Sequence, residues 1–197
     1  MATDKFPCYS DMTFIADDAY VIEEAPVRLA CGDGIRSVEF ILHKNTNLLF
    51  IEAKTTFAHP ENSPQPYENE IDEICEKFVH SLNLLAAVKI GIAADVLPES
   101  FADLNKVSPT FVLVVRDHEP KWCRPIKSAI VQSLPTYFKK IWKPAICVIN
   151  HGTAIKRSLV MGKTQPAPTE HRSPPMPNKR PAALDSRQFI GRIAERL

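Results

Sequence analysis

The sequence predicts an α/β (α+β) fold, with a central mixed β-sheet built on a β-hairpin and flanked by helices. Three observations carry this. Two apolar segments flank turn chemistry at 44–47. A long segment after residue 67 repeats its apolar residues at steps of three and four. Two further apolar runs, at 110–116 and 145–150, alternate with helical sequence, giving the order hairpin, helix, strand, helix, strand.

Residues 12–30 fit a short helix or a strand, and Pro26 interrupts any continuous helix there. Gly32-Asp33-Gly34 is a turn signal, and 36–43 reads as a strand. "KNTN" at 44–47 follows, with Asn tolerant of the left-handed region, and 48–54 is the second strand of the hairpin. A Pro-rich loop spans 58–67. The helix expected over 68–89 presents Ile71, Ile74, Phe78, Leu82 and Leu85 on one stripe. Glu68, Glu70, Asp72 and Glu73 in its opening turns suit the positive end of a helix dipole. Residues 110–116 form a buried strand, 120–143 a helix broken or kinked at Pro125 and Pro135, and 145–150 a last core strand.

The expected organisation is a body over 1–162, a Pro-rich linker over 163–182 and an amphipathic helix over 183–197. In the last segment Asp185 and Gln188 form a capping pair, and Phe189, Ile190, Ile193 and Leu197 an apolar stripe. This tail either docks on a partner protein, folds back, or frays. No apolar run reaches the roughly 20 residues of a membrane helix, and no signal peptide is expected. Five scattered cysteines without a CxxC fit reduced thiols in the cytoplasm and argue against a zinc site. No Walker, Rossmann or G-x-S-x-G motif occurs, and no histidine pair has metal-ligand spacing.

The net charge of +1 hides an asymmetry. Residues 1–110 carry 18 acidic against 8 basic side chains, and residues 111–197 carry 5 against 16. The basic half suits phosphates and the acidic half a cation or a basic partner; the halves could also attract each other or form solvated faces.

The second hairpin strand, "LLFIEAK", ends in opposite charges. Glu52 and Lys54 point to one face and Ala53 to the other. With the turn centred between Asn45 and Thr46, Glu39 pairs with Glu52. Bare like charges directly opposite on antiparallel strands repel. A divalent cation would offset this, since Mg²⁺ takes a couple of carboxylates, waters and a phosphate oxygen. Lys54 beside it could orient water or steady charge on a phosphate. Glu-x-Lys alone arises by chance about once in a chain this long, so the weight rests on the context. The competing reading is a strand end at the surface carrying an ordinary ion pair.

An acid on one strand, an apolar strand ending in acid-x-lysine and then a helix resembles the PD-(D/E)xK nuclease superfamily, of restriction-endonuclease-like fold. The resemblance covers roughly residues 20–150. It implies a Mg²⁺ (or Mn²⁺) nuclease acting on DNA, with RNA as the alternative substrate. Glu39, Glu52 and Lys54 would be catalytic, with Glu39, Glu52 and the Ala53 carbonyl on the metal. "GDGIRSVEF" is similar to the Gly-Asp-Gly lead-in of the Mrr-like branch, which makes Asp33 a fallback acid. Glu23 or Glu24 could supply the acid that this family often adds from an earlier helix. The chain departs from the family in lacking a Pro-Asp pair before the first acid and a Gln-rich signature on the following helix.

Nucleic-acid contacts are expected from Lys121, Arg124, Lys127, Lys139, Lys140 and Lys143, interleaved with Trp122, Tyr137 and Trp142, and from Lys156 and Arg157. The alternative is that these aromatics are core and the lysines a solvated face. The family further implies a homodimer, or a subunit of a prokaryotic defence or DNA-processing assembly held through the C-terminal tail. A second functional reading is a catalytically inactive scaffold that binds a protein partner through its acidic half and C-terminal helix.

Overall fold

A two-residue turn, Asn45–Thr46, organises the sheet. Asn45 adopts φ 55°, the left-handed conformation that asparagine tolerates. It joins β3 (Phe40–Lys44) to β4 (Asn47–Lys54) in an antiparallel ladder running from Lys44↔Asn47 to Phe40↔Ile51. The computed structural model describes residues 7–162; the linker expected at 163–182 and the helix expected at 183–197 lie outside the described residues.

Two parallel strands complete a four-stranded mixed sheet of order β3-β4-β5-β6, with β5 at Ser108–Val115 and β6 at Ala145–Asn150. The ends of β4, β5 and β6 therefore share one edge of the sheet, marked by Lys54, Val115 and Asn150. A smaller hairpin precedes the sheet: β1 (Cys8–Tyr9) and β2 (Met12–Thr13). Residue 20 bridges the outer edge of β3 through Tyr20↔Ile41, which covers an otherwise free strand edge.

Helices cover the sheet. α1 (Pro26–Leu29) is a single turn that begins at the proline expected to interrupt a helix; proline at the first helical position forfeits no hydrogen bond. α2 runs Pro64–Lys89, four residues earlier than expected, because Pro64 and Pro66 fall in a first turn whose amides have no helical partners. The acids Glu68, Glu70, Asp72 and Glu73 thus lie beyond the first turn and do not serve its dipole. α3 (Pro120–Ser133) continues through Pro125, and the break expected there occurs only at Leu134–Pro135, before α4 (Thr136–Trp142). α5 (His151–Lys156) follows β6 directly.

The core has two layers. On one face Leu48, Phe50, Phe111 and Leu113 pack against the α2 stripe Ile71, Ile74, Phe78, Leu82 and Leu85, and against Ile126, Ile130 and Phe138 of α3 and α4. Phe111 stacks on Phe78 at 4.5 Å between ring centres. On the other face Phe40, Leu42, Ile51, Ala53, Val112 and Val114 meet Met12, Phe14, Ala154 and Val160.

Asn150 ends β6 and starts α5: its Oδ1 accepts the Thr153 amide at 3.0 Å and its Nδ2 donates to the His118 carbonyl at 3.1 Å. Asn150→Ala is expected to cost about 1 kcal/mol, a fall in Tm of roughly 2–4 °C, with Asn150→Asp recovering part of it by keeping the cap acceptor. Thermal denaturation followed by circular dichroism checks this; an unchanged Tm in the alanine variant refutes it.

Candidate active site

The hairpin register brings Glu39 and Glu52 together. Glu39 lies one residue before β3, not inside a strand over 36–43, and its amide donates to the Ile51 carbonyl at 3.1 Å. Residues 35–38 are extended but unpaired as strand, since Val38 spends its amide on the Ser81 hydroxyl of α2, at 2.8 Å. On β4, Glu52 and Lys54 continue the row of Leu48 and Phe50 toward α2, and Ala53 lies with Ile51 in the opposite layer.

Glu52 is 1 % exposed. A carboxylate so deeply placed needs a cation. Lys77 of α2 provides one, its Nζ 2.6 Å from Glu52 Oε1. Oε2 of Glu52 is buried without a hydrogen-bond partner. Burial pushes the Glu52 carboxyl up and Lys77 and Lys54 draw it back, leaving it at about 7. The 2.6 Å contact is a charge-assisted bond between ammonium and carboxylate. Burial draws the Lys77 ammonium down, but Glu52, Glu39 and Glu73 outweigh it and hold it above its usual value.

Glu73, one turn before Lys77, extends the network: its Oε1 lies 3.9 Å from Lys77 Nζ and 3.7 Å from Lys54 Nζ, and its Oε2 is 3.8 Å from Arg36. Lys54 therefore stands beside Glu52 with Glu73 as its ion-pair partner.

A third carboxylate joins from the short 3₁₀ turn Ile22–Glu24. The Glu23 amide reaches the Glu39 carbonyl at 3.5 Å, and the two side chains hydrogen-bond. Burial first, then that bond and the charges of Glu52 and Glu23, push the Glu39 carboxyl up to about 9. Tyr9 stacks on Phe40 at 5.8 Å, and its hydroxyl is held well above its usual value by burial and by Glu39, Glu24 and Glu23. The fallback acid Asp33 is exposed in its turn and is not among the charges that act on Glu39 or Glu52, whereas Glu23, considered as the acid from an earlier helix, acts on both.

The Ala53 carbonyl accepts a hydrogen bond from Ser10 Oγ at 3.1 Å. Ser10 and Asp11 form the tip of the β1–β2 hairpin, both at positive φ (50° and 55°). Arg116, just past β5, pins that tip by donating to the Ser10 carbonyl and pairing with Asp11. Neither Ser10 nor Arg116 carries a signal in sequence, because their contacts join residues far apart in the chain.

The expected nucleic-acid contacts do not form one surface. Lys121, Arg124 and Lys127 are exposed on α3, on the sheet face that carries Glu52, with Lys121 at the strand-end edge beside Trp122. Lys140 and Lys143 lie toward the opposite edge, where β6 begins, and Lys139 spends its ammonium on the Val131 and Gln132 carbonyls that end α3. Lys156 and Arg157 belong to α5 and its C-cap, over the other sheet face. Tyr137 and Trp142 are exposed and so are not core; Phe138 is the core aromatic of α4. Three histidines make packing or backbone contacts: His80 accepts the Arg36 amide, His43 meets the Ser100 carbonyl, and His59 packs edge-on against Trp122.

Among the described residues no three His, Cys, Asp or Glu side chains stand as a group that could hold a metal ion. Two features still fit Mg²⁺ or Mn²⁺. The donors Glu39, Glu52 and the Ala53 carbonyl are all oxygen, and Glu52 Oε2 is unpartnered. Mg²⁺ takes one or two carboxylates and fills its remaining positions from water and substrate.

No protein-family model, curated protein or solved structure matches the chain. Among the described residues no helix is long and apolar enough to cross a membrane.

Proposed function

We propose that the chain is a divalent-metal-dependent nuclease of the PD-(D/E)xK kind on a restriction-endonuclease-like sheet, hydrolysing DNA phosphodiesters, with RNA as the alternative substrate. The observation that carries this is the convergence of Glu39 and Glu23 on a buried Glu52 whose Oε2 lacks a partner, beside Lys54. Gathering acids in a place that raises their pKa works against stability and is a mark of functional sites.

A bound Mg²⁺ would polarise a phosphate oxygen and acidify a water. Glu39 and Glu52 would offer hard anionic donors for that ion. The Ala53 carbonyl offers a neutral one once the Ser10 hydroxyl turns away. The Lys54 ammonium steadies charge on a phosphate oxygen. Lys121, Arg124 and Lys127 hold the nucleic-acid backbone on the same sheet face. Work as a homodimer or within a larger assembly reached through the tail belongs to this reading.

One observation favours the second reading, an inactive scaffold that binds a protein partner: the protein's own Lys77 and Ser10 occupy Glu52 Oε1 and the Ala53 carbonyl. Plasmid cleavage in Mg²⁺ or Mn²⁺ decides between them. Wild type is expected to nick or linearise DNA, with Glu52→Ala and Lys54→Ala both losing that activity. Unchanged cleavage in both variants sinks the site, and an inert wild type favours the scaffold.

A further inference from the structure

We infer that Lys77 is a built-in counter-cation of this site: it occupies Glu52 in the metal-free protein and crosses to Glu73 when a divalent cation enters. The inference rests on the metal-dependent reading above and adds a residue and a competition to it.

Glu52, at 1 % exposure, cannot stand ionised and bare, so whenever it is ionised in the folded protein some cation must accompany it. In this structure that cation is Lys77, at 2.6 Å. An ammonium has only donors, so it cannot ligate a metal ion and must vacate Oε1 if a metal is to take it. A second acceptor is already in place: Glu73 Oε1 is 3.9 Å from the same Nζ, on the turn that puts the two side chains side by side. The four-carbon stem of lysine allows the move without shifting α2. Once there, Lys77 leaves Lys54 less tightly held, because both ammonium groups share Glu73 Oε1. Metal entry thereby also frees Lys54 toward substrate. The unpartnered Oε2 gives the entering ion a first foothold before Lys77 departs.

This differs from a purely structural ion pair in one measurable respect: the pair sets metal affinity. The test is Mn²⁺ binding to the full chain, without nucleic acid, followed by electron paramagnetic resonance of free Mn²⁺. Lys77→Met keeps the stem and removes the competitor, and is expected to bind Mn²⁺ at least roughly tenfold more tightly than wild type. Lys77→Arg keeps the charge, and so the fold, but grips Glu52 with a planar fork, and is expected to bind more weakly than wild type. Glu52→Gln should lose the site. If Lys77→Met, shown folded by near-ultraviolet circular dichroism, binds no more tightly than wild type, the inference is overturned. It is equally overturned if Lys77→Arg binds as well as wild type. Should neither wild type nor folded Lys77→Met bind Mn²⁺ at millimolar concentration, this inference and the metal-dependent reading fall together. Binding by wild type that Lys77 variants leave unmoved removes the inference alone.

Discussion

Lys77→Met is expected to cost about 3–5 kcal/mol of folding stability near pH 8 and much less near pH 5. The reason is the carboxylate left behind. At 1 % exposure, Glu52 without Lys77 is a buried charge that has lost its bonded cation and keeps only the weaker pull of Lys54. Near pH 8 the folded chain must either carry that charge or bind a proton against the solution, and both are costly. Near pH 5 the carboxyl is protonated in the folded chain, whose Glu52 already sits at about 7 with Lys77 present and moves higher without it. Little is then lost relative to an unfolded chain near its usual 4.5. Replacing both partners, Glu52→Leu with Lys77→Met, should be milder than the single change, since no charge stays buried. Urea unfolding of the three proteins at both pH values checks this. A single-variant cost independent of pH would mean that lost packing, not charge, is the cause. Against a typical total of about 5–15 kcal/mol, that is a large share of the folding stability.

The wild type itself is expected to lose stability as the pH rises from about 5 to about 9, by roughly 1.4 kcal/mol for each unit over which one proton is held by the folded state alone. Glu39 sets most of that window. Its carboxyl is raised from 4.5 to about 9 by burial, by the bond with Glu23 and by the neighbouring charges. A raised acid contributes stability that is full below its unfolded pKa and lost as the pH climbs through its folded pKa. Glu52, raised to about 7, adds to the slope over the lower part of the window. Lys77 acts outside it: its ammonium, held above the usual 10.5, gives stability that persists until the pH passes that value. Glu39→Gln keeps the shape, removes the proton and should flatten the curve, being more stable than wild type near pH 9. Tm measured across this range is the check; a wild-type Tm that rises toward pH 8 contradicts the assignment.

Part of this site was legible in sequence. The register expected from the turn at Asn45 and Thr46 is that of the ladder from Lys44↔Asn47 to Phe40↔Ile51; Glu39 lies just past its end, with its amide on the Ile51 carbonyl. The α2 stripe is readable because its period is a local property. The strand over 36–43 was overextended because its apolar residues are buried, although Val38 gives its amide to a helix side chain. Lys77 has no signal in the apolar period of α2, which marks only its core stripe. Beside it runs a polar seam, Glu70, Glu73, Lys77 and Ser81, at steps of three and four on the buried side. The early start of α2 also concealed Glu73, which looked like a partner for the helix dipole. Ser10, Tyr9 and Arg116 left no trace because turns do not announce their distant contacts. The basic residues were grouped by nearness in sequence, and the parallel crossovers then distributed them to both edges and both faces of the sheet.

The two-residue turn has a consequence for how the chain can change in length. Glu39 and Glu52 share a face only because the parity of the intervening residues is right. A one-residue slip of β3 against β4 would turn one of the two acids into the apolar layer of Phe40 and Ile51, so the turn accepts a change of length only where the longer loop keeps the ladder in register. The connection from α2 to β5 has no such ladder to satisfy and can grow by any number. Relatives of this protein that share the site should therefore keep the two acids on one face whatever the length of this turn, and vary more in length after α2, outside Asp95, which accepts from Tyr20 and the Val27 amide.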